Sequence, residues 1–319
     1  MKRNLCCGFV SPFGGIPGAS VFKTNLLSEK LGVYNLPFAQ PGLECSDDEN
    51  MTITHVKSMC RCSYDNPLIL FCDGLMKRQM HLDDLLSKWE FNPSILNVRL
   101  IKGKDGRDVI QMRVDMGILQ LETTGRPDGE QIEECETYLE YLQNKCLKDS
   151  EHRLTDKESN EVDREFMQFY HRRICWLRLQ YYNRAVMDAD HTLLLMDLCE
   201  KASNDEEWNG SHEQYRPFVL FHRTQAAALG ALEENSAEDA VQAINMGLKT
   251  MEKFFIKHEA EEHFESDELV VRLTDLRESL RDEYEVGQTL KERLYAAVEE
   301  EQYELAARLR DELSRRELN

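Results

Sequence analysis

The sequence predicts a mainly α-helical chain with one small antiparallel β-meander near its start, paired helices in its middle and a helical hairpin at its end. Three observations lead there. Beyond Gly129 only four glycines and one proline, Pro217, interrupt long runs of three- and four-residue apolar spacing, the period that lines one face of a helix. An Asp105-Gly106 pair stands between two alternating, β-rich runs, and such a pair marks a tight hairpin because glycine accepts positive φ. Residues 1–75 hold five of the eight prolines and seven of the sixteen glycines, with no sustained period.

The 319 residues allow two or three compact units. Charge is unevenly spread: residues 1–80 carry eight Lys/Arg against seven Asp/Glu, and the rest carry 31 against 52, a net −21. Such a body repels phosphate backbones, so direct nucleic-acid binding is not expected. No basic run exceeds Lys77-Arg78 or Arg172-Arg173. No apolar run nears the roughly 18–20 residues that span a bilayer. Pro and Gly break the stretch after Lys2 and Arg3, so neither a membrane span nor a secretion signal is expected. Six of ten cysteines precede residue 73, while Cys135, Cys146, Cys175 and Cys199 lie scattered in helix-like sequence. Free thiols in a reducing cytoplasm have that distribution.

In chain order, residues 1–75 are expected to be disordered, with Met76 or Met80 as alternative starts. Residues 81–89 read as a short helix with Leu82, Leu85, Leu86 and Trp89 on one side. Three strands follow over 97–102, 109–116 and 118–122, and the loop 125–129 closes an α+β unit spanning 80–129. Residues 130–148 read as a helix with Ile132, Cys135, Tyr138, Leu139 and Leu142 inward, and 155–161 as a charged connection. Segments 165–179 and 183–202 pair around Tyr181-Tyr182, and 215–233 and 237–257 pair around Asn235-Ser236, a helical layer over 130–260. From 266 a coiled-coil arm is expected: over 268–300, Leu269, Leu273, Leu276, Leu280, Leu290, Leu294 and Ala297 keep a 4–3 register, weakened by Glu283 and Gly287.

The middle pairs, with Ala185 and Ala240 shortly after their turns, resemble tetratricopeptide repeats. Ala185 and Ala240 are 55 residues apart, however, where the repeat is about 34, and its Trp-Leu-Gly and closing Pro signatures are absent. The resemblance implies a groove that grips a protein, and a generic α-bundle core would build the same helices.

Sites that invite chemistry fail on spacing. Cys60, Cys62, Cys72 and His55 lack a Cys-x-x-Cys knuckle. His258 and His263 are five apart, about 140° round a helix, where a zincin pair needs four. Asp188-x-x-His191 is half of a carboxylate–histidine metal site without its second half. The glycines 103–106 lack the Gly-Lys-Ser/Thr ending of a phosphate loop, and no nucleophile elbow or dinucleotide fingerprint occurs. Phe169, Tyr170, Trp176, Tyr181 and Tyr182 read as core. No catalytic residue, metal or cofactor is expected, and the chain is not expected to be an enzyme.

The last thirty residues are the most specific. Leu290, Leu294 and Ala297, then Tyr303, Ala306, Leu309 and Leu313, fall at helical spacing on either side of the polar run Glu299–Gln302, which reads as an antiparallel hairpin over 290–317. Small Ala297 and Ala306-Ala307 allow close approach. With Ala297-Val298-Glu299, Tyr303-Glu304 and Leu309-Arg310-Asp311 in order, the stretch resembles the UVR motif, the hairpin at the end of the excision-repair protein UvrB and inside its partner UvrC, also present in McsA-type regulators of Clp chaperone-proteases. Gln302 departs from the Asp common there and is a poorer cap. The resemblance covers under a tenth of the chain and implies protein binding without catalysis. Leu290, Leu294, Ala297, Tyr303, Ala306, Leu309, Arg310 and Leu313 are its candidate partner-binding residues. The expectation is a cytoplasmic adaptor that docks a protein through the hairpin and a second through the helical groove, with self-association open. Excision repair or Clp regulation is the alternative setting.

Overall fold

The computed structural model describes residues 81–234 and 236–317; the expected disorder of 1–75, the alternative starts and the Cys60/Cys62 pattern lie outside the described residues. The chain divides into two compact units with their boundary between Ser236 and Ala237.

The first unit begins with a six-residue helix, α1 (Asp83–Lys88), none of whose residues is buried. Strands β1 (Asn97–Lys102), β2 (Asp108–Val114) and β3 (Gly117–Glu122) form an antiparallel sheet in sequence order. The turn at Asp105-Gly106 forms as expected, with Gly106 at φ +86°. The second turn needs no such freedom: Val114 pairs with Gly117 across Asp115-Met116, and the Arg113 guanidinium braces it by donating to the Asp115 and Gly117 carbonyls at 2.7 and 3.1 Å. Five consecutive residues of β2 are buried, because both faces of the middle strand are covered. On one face Gln111 accepts from Arg99 at 2.6 Å and donates to Gln120 at 3.0 Å, and Arg99 lies over the Trp89 ring at 4.1 Å.

Helices α2 (Tyr138–Lys148), α3 (Asp156–Arg178), α4 (Tyr182–Ala202), α5 (Glu206–Glu213) and α6 (Arg216–Glu233) complete this unit. α4 packs against both α3 and α6. Its close approach uses fully buried Ala185 and Ala189, and Gly230 of α6, where an added Cβ would stand 3.5 Å from the Tyr182 Cβ. Tyr138, Leu142, Val162, Phe166, Leu195, Met196 and Val219 share one core.

Two helix starts differ by several residues from the sequence expectation, and β2 ends at Val114, two residues short of it. α2 starts at Tyr138 and not at 130, because Ile132 and Cys135 form a β-bridge around Glu133 at φ 55°. α3 starts at Asp156, where a charged connection is expected, because Thr155 and Glu158 form a reciprocal capping box.

Buried polar side chains tie the sheet's exit loop to these helices. Arg126 donates to Glu161 at 2.8 Å, and Arg172 donates to the Glu122 and Gly125 carbonyls at 3.1 and 2.8 Å while pairing with Asp188 at 2.8 Å. Glu165 accepts the Tyr138 and Leu139 N–H groups at 2.7 and 2.9 Å and meets His191 Nε2 at 2.8 Å. Asp188 and His191, the tempting half-site, are thus held by Arg172 and Glu165.

The second unit holds α7 (Ala237–Lys257), a 3₁₀ turn (Glu261–Ser266), α8 (Glu268–Tyr284), α9 (Leu290–Glu299) and α10 (Tyr303–Glu317). Residues 260–266, placed at a domain junction by the sequence, lie inside this unit, with Phe264 packed edge-on to Phe255 at 5.6 Å. The register of Leu273, Leu276 and Leu280 buries α8 in its own unit, where it packs on α7. The helix does not run on into the hairpin as the coiled-coil reading expects. It stops at Tyr284, with Glu285 left-handed at φ 53°, where Glu283 and Gly287 weaken the apolar seam.

Candidate interaction hairpin

α9 and α10 form the expected helical hairpin, and its geometry follows from local chemistry. Thr289 caps α9: its Oγ1 accepts the Glu292 N–H at 3.2 Å, and the Glu292 carboxylate accepts the Thr289 N–H at 2.7 Å. At the other end the Gln302 N–H reaches the Ala297 carbonyl at 2.8 Å and Glu301 turns left-handed at φ 59°, which closes the helix and reverses the chain. The Ala306 N–H then bonds the Gln302 carbonyl at 3.0 Å, while the Gln302 amide turns back to Glu300 at 2.6 Å.

The hairpin has its own core. Leu290, Ala297, Ala306 and Leu309 are buried in one cluster, with Leu294, Leu305 and Leu313 packed around it. Six of the eight candidate partner-binding residues therefore face one another across α9 and α10. The remaining two point outward: Tyr303 is 67 % exposed, and the exposed Arg310 pairs with Asp311 at 2.9 Å. Sequence reasoning missed two outward residues, Tyr295 at 58 % and Val298 at 48 % exposure. Their signal was present, since both are apolar residues standing off the Leu290–Leu294–Ala297 stripe.

A polar seat holds the first turn. From α7, Glu238 accepts the Leu290 N–H at 2.9 Å, Gln242 accepts from Thr289 Oγ1 at 2.9 Å, and Asn245 donates to Glu292 at 2.9 Å. From α8, Arg281 pairs with Glu292 and donates to the Gly287 carbonyl at 2.8 Å. Lys249 lies over the Tyr295 ring at 4.9 Å. Partial burial acts to raise the Glu292 pKa, but the Thr289 N–H, Arg281 and Asn245 outweigh it and hold the carboxyl below its ordinary value. Glu238, Gln242, Asn245 and Lys249 recur at four and three residues, one stripe of α7; their spacing alone does not reveal what they meet.

Comparison with known families gives one result. Residues 288–317 match the UvrB/uvrC motif. The match covers the hairpin and its capping turn. No curated protein and no solved structure matches the chain. Among the described residues, no group of three or more His, Cys, Asp or Glu is placed to hold a metal ion, and no helix is long and apolar enough to cross a membrane.

Proposed function

We propose that this chain is a non-enzymatic adaptor that docks a partner protein through the UvrB/uvrC-type hairpin. One observation carries the reading: the hairpin closes a core of its own and still presents Tyr295, Val298 and Tyr303 to solvent. Aromatic residues exposed on a rigid element are the usual anchors of protein interfaces. The buried leucines and alanines are the frame that holds this face. The non-enzymatic reading draws support from Asp188 and His191, which are engaged by Arg172 and Glu165. The motif match itself favours a second setting for the same docking, as an accessory factor in excision repair or Clp chaperone-protease regulation.

Affinity capture from the source organism tests the reading. Leu309, 2 % exposed in the hairpin core, becomes an unpaired buried carboxylate in Leu309→Asp, which unravels the hairpin. Partners recovered with the intact chain should be lost with this variant, and with Tyr303→Ser, which leaves the core whole. Recovery of every partner by Leu309→Asp would remove the hairpin from the docking role.

A further inference from the structure

The turn end of the hairpin carries a charge pattern that specifies its partner. Residues 296–307 contain Glu299, Glu300, Glu301 and Glu304 and no Lys or Arg, and all four glutamates are exposed. They flank in sequence Val298, near the end of α9, and Tyr303, which opens α10. Tyr295, one turn back from Val298 on the same side of α9, already carries the Lys249 ammonium over its ring at 4.9 Å and stands outside this tip. The rest of α10 is different: Arg308, Arg310 and Arg315 follow, with Arg310 paired to Asp311.

Glu299 and Glu300 also stand at the C-terminal end of α9, where the helix dipole disfavours anions. The tip thus gathers like charges around exposed apolar side chains, an arrangement that a cationic amphiphile relieves. A second copy presenting the same tip brings four more carboxylates, and the remaining body from residue 81 is itself net −21. Nucleic acid and anionic lipid are repelled for the same reason.

Resting on the docking reading above, we infer that the hairpin tip of exposed Val298 and Tyr303, flanked by exposed Glu299, Glu300, Glu301 and Glu304, binds a basic amphipathic helix of another protein. Apolar residues of that helix cover Val298 and Tyr303, and its flanking Lys or Arg side chains meet Glu299, Glu300 and Glu301.

The test titrates the full chain against a labelled synthetic helix of Leu and Lys, and against its twin with Glu in place of Lys, at physiological ionic strength. The Lys helix should bind and the Glu helix should not. The charge-preserving pair Val298→Ser/Tyr303→Ser should weaken binding by about tenfold or more, the scale of losing an interface anchor. The triple variant Glu299→Gln/Glu300→Gln/Glu301→Gln should weaken it and flatten its salt dependence. None of these residues belongs to the hairpin core, and an unchanged circular dichroism spectrum would show that the fold is kept. Equal binding by wild type and the Ser pair, or by the two helices, would overturn the inference. So would a concentration-dependent dimer in sedimentation that Tyr303→Ser dissolves, since the face would then belong to a second copy. If native partners are lost with Leu309→Asp and with Tyr303→Ser but kept by the triple Gln variant, the docking reading stands and this inference fails.

Discussion

Glu165 is fully buried yet touches three parts of the fold: it accepts two N–H groups at the start of α2, meets His191 of α4, and lies 3.7 Å from Arg126 of the loop after β3. A buried carboxylate is tolerated only when it is met in this way. None of this is legible in the sequence, because the partners lie 26 and more residues away, whereas a local capping box such as Thr155/Glu158 can be read directly. Backbone strain belongs to the same scale. Glu133, Gln180, Glu259, Glu285 and Glu301 all have positive φ, a conformation that costs a side-chain-bearing residue about 1–2 kcal/mol. Glycine escapes that cost and returns part of it as unfolded-state entropy. Glu285→Gly at the end of α8 should therefore stabilise the second unit by about 0.5–1 kcal/mol, seen as a higher thermal midpoint. An unchanged midpoint would mean that the exposed Glu285 side chain contributes as much as the strain removes.

At the scale of elements, the hairpin's two helices are short, 10 and 15 residues, and helices of that length are marginal alone. They are held by one apolar core between them and by the seat on α7 and α8, which is mainly polar. The seat centres on Glu292. Its carboxyl is held below the ordinary value of 4.5, so the stability it lends is present above that pH and is lost as pH falls below it. Glu292→Gln at neutral pH should imitate the loss, raising local opening roughly fivefold, equivalent to about 1 kcal/mol for one charge-assisted contact at a partly exposed site. Hydrogen exchange should then quicken across 290–313 while 268–280 keeps its protection. Equal quickening in both segments would show that the hairpin and α8 open as one body. The hairpin itself was readable from sequence because its apolar stripe and its turn are local. Its outward face is not legible in the same way, because Leu, Ala and Tyr at helical spacing do not say which side meets the other helix. The break between α8 and α9 shows the same limit: the leucine register continues across it, and only the weakened seam at Glu283 and Gly287 marks the stop.

For the molecule as a whole, three titratable groups in the first unit make stability depend on pH in two separate windows. His222, 2 % exposed, is held well below its ordinary value of 6.5 first by burial and then by the positive charge of Arg173 beside it. His171 is lowered as well, by burial. Both stay neutral in the fold and take up a proton on unfolding, so the unfolded chain binds more protons below about 6.5 and stability falls as pH drops through that value. Glu158 acts lower down. Burial opposes its ionisation, but Lys145 at 2.6 Å and the Thr155 groups overcome this and bring its pKa from 4.5 to about 2. Its contribution, up to about 3 kcal/mol, is whole above 4.5 and drains away as pH falls toward 2. The chain's isoelectric point near 4.9 adds an opposing trend, since self-repulsion among the many carboxylates eases as that pH is approached. The comparison of variants, and not the absolute curve, therefore carries the test. His222→Gln keeps an acceptor for Arg173 and should flatten the slope of unfolding free energy between pH 7 and 5 in part, leaving the share of His171. Glu158→Gln should leave that slope alone and flatten the one below 4.5. Denaturant melts at each pH measure both, and if the His222 variant kept the full wild-type slope above pH 5, the imidazole would have to be protonated inside the fold, with Arg173 turned away from it.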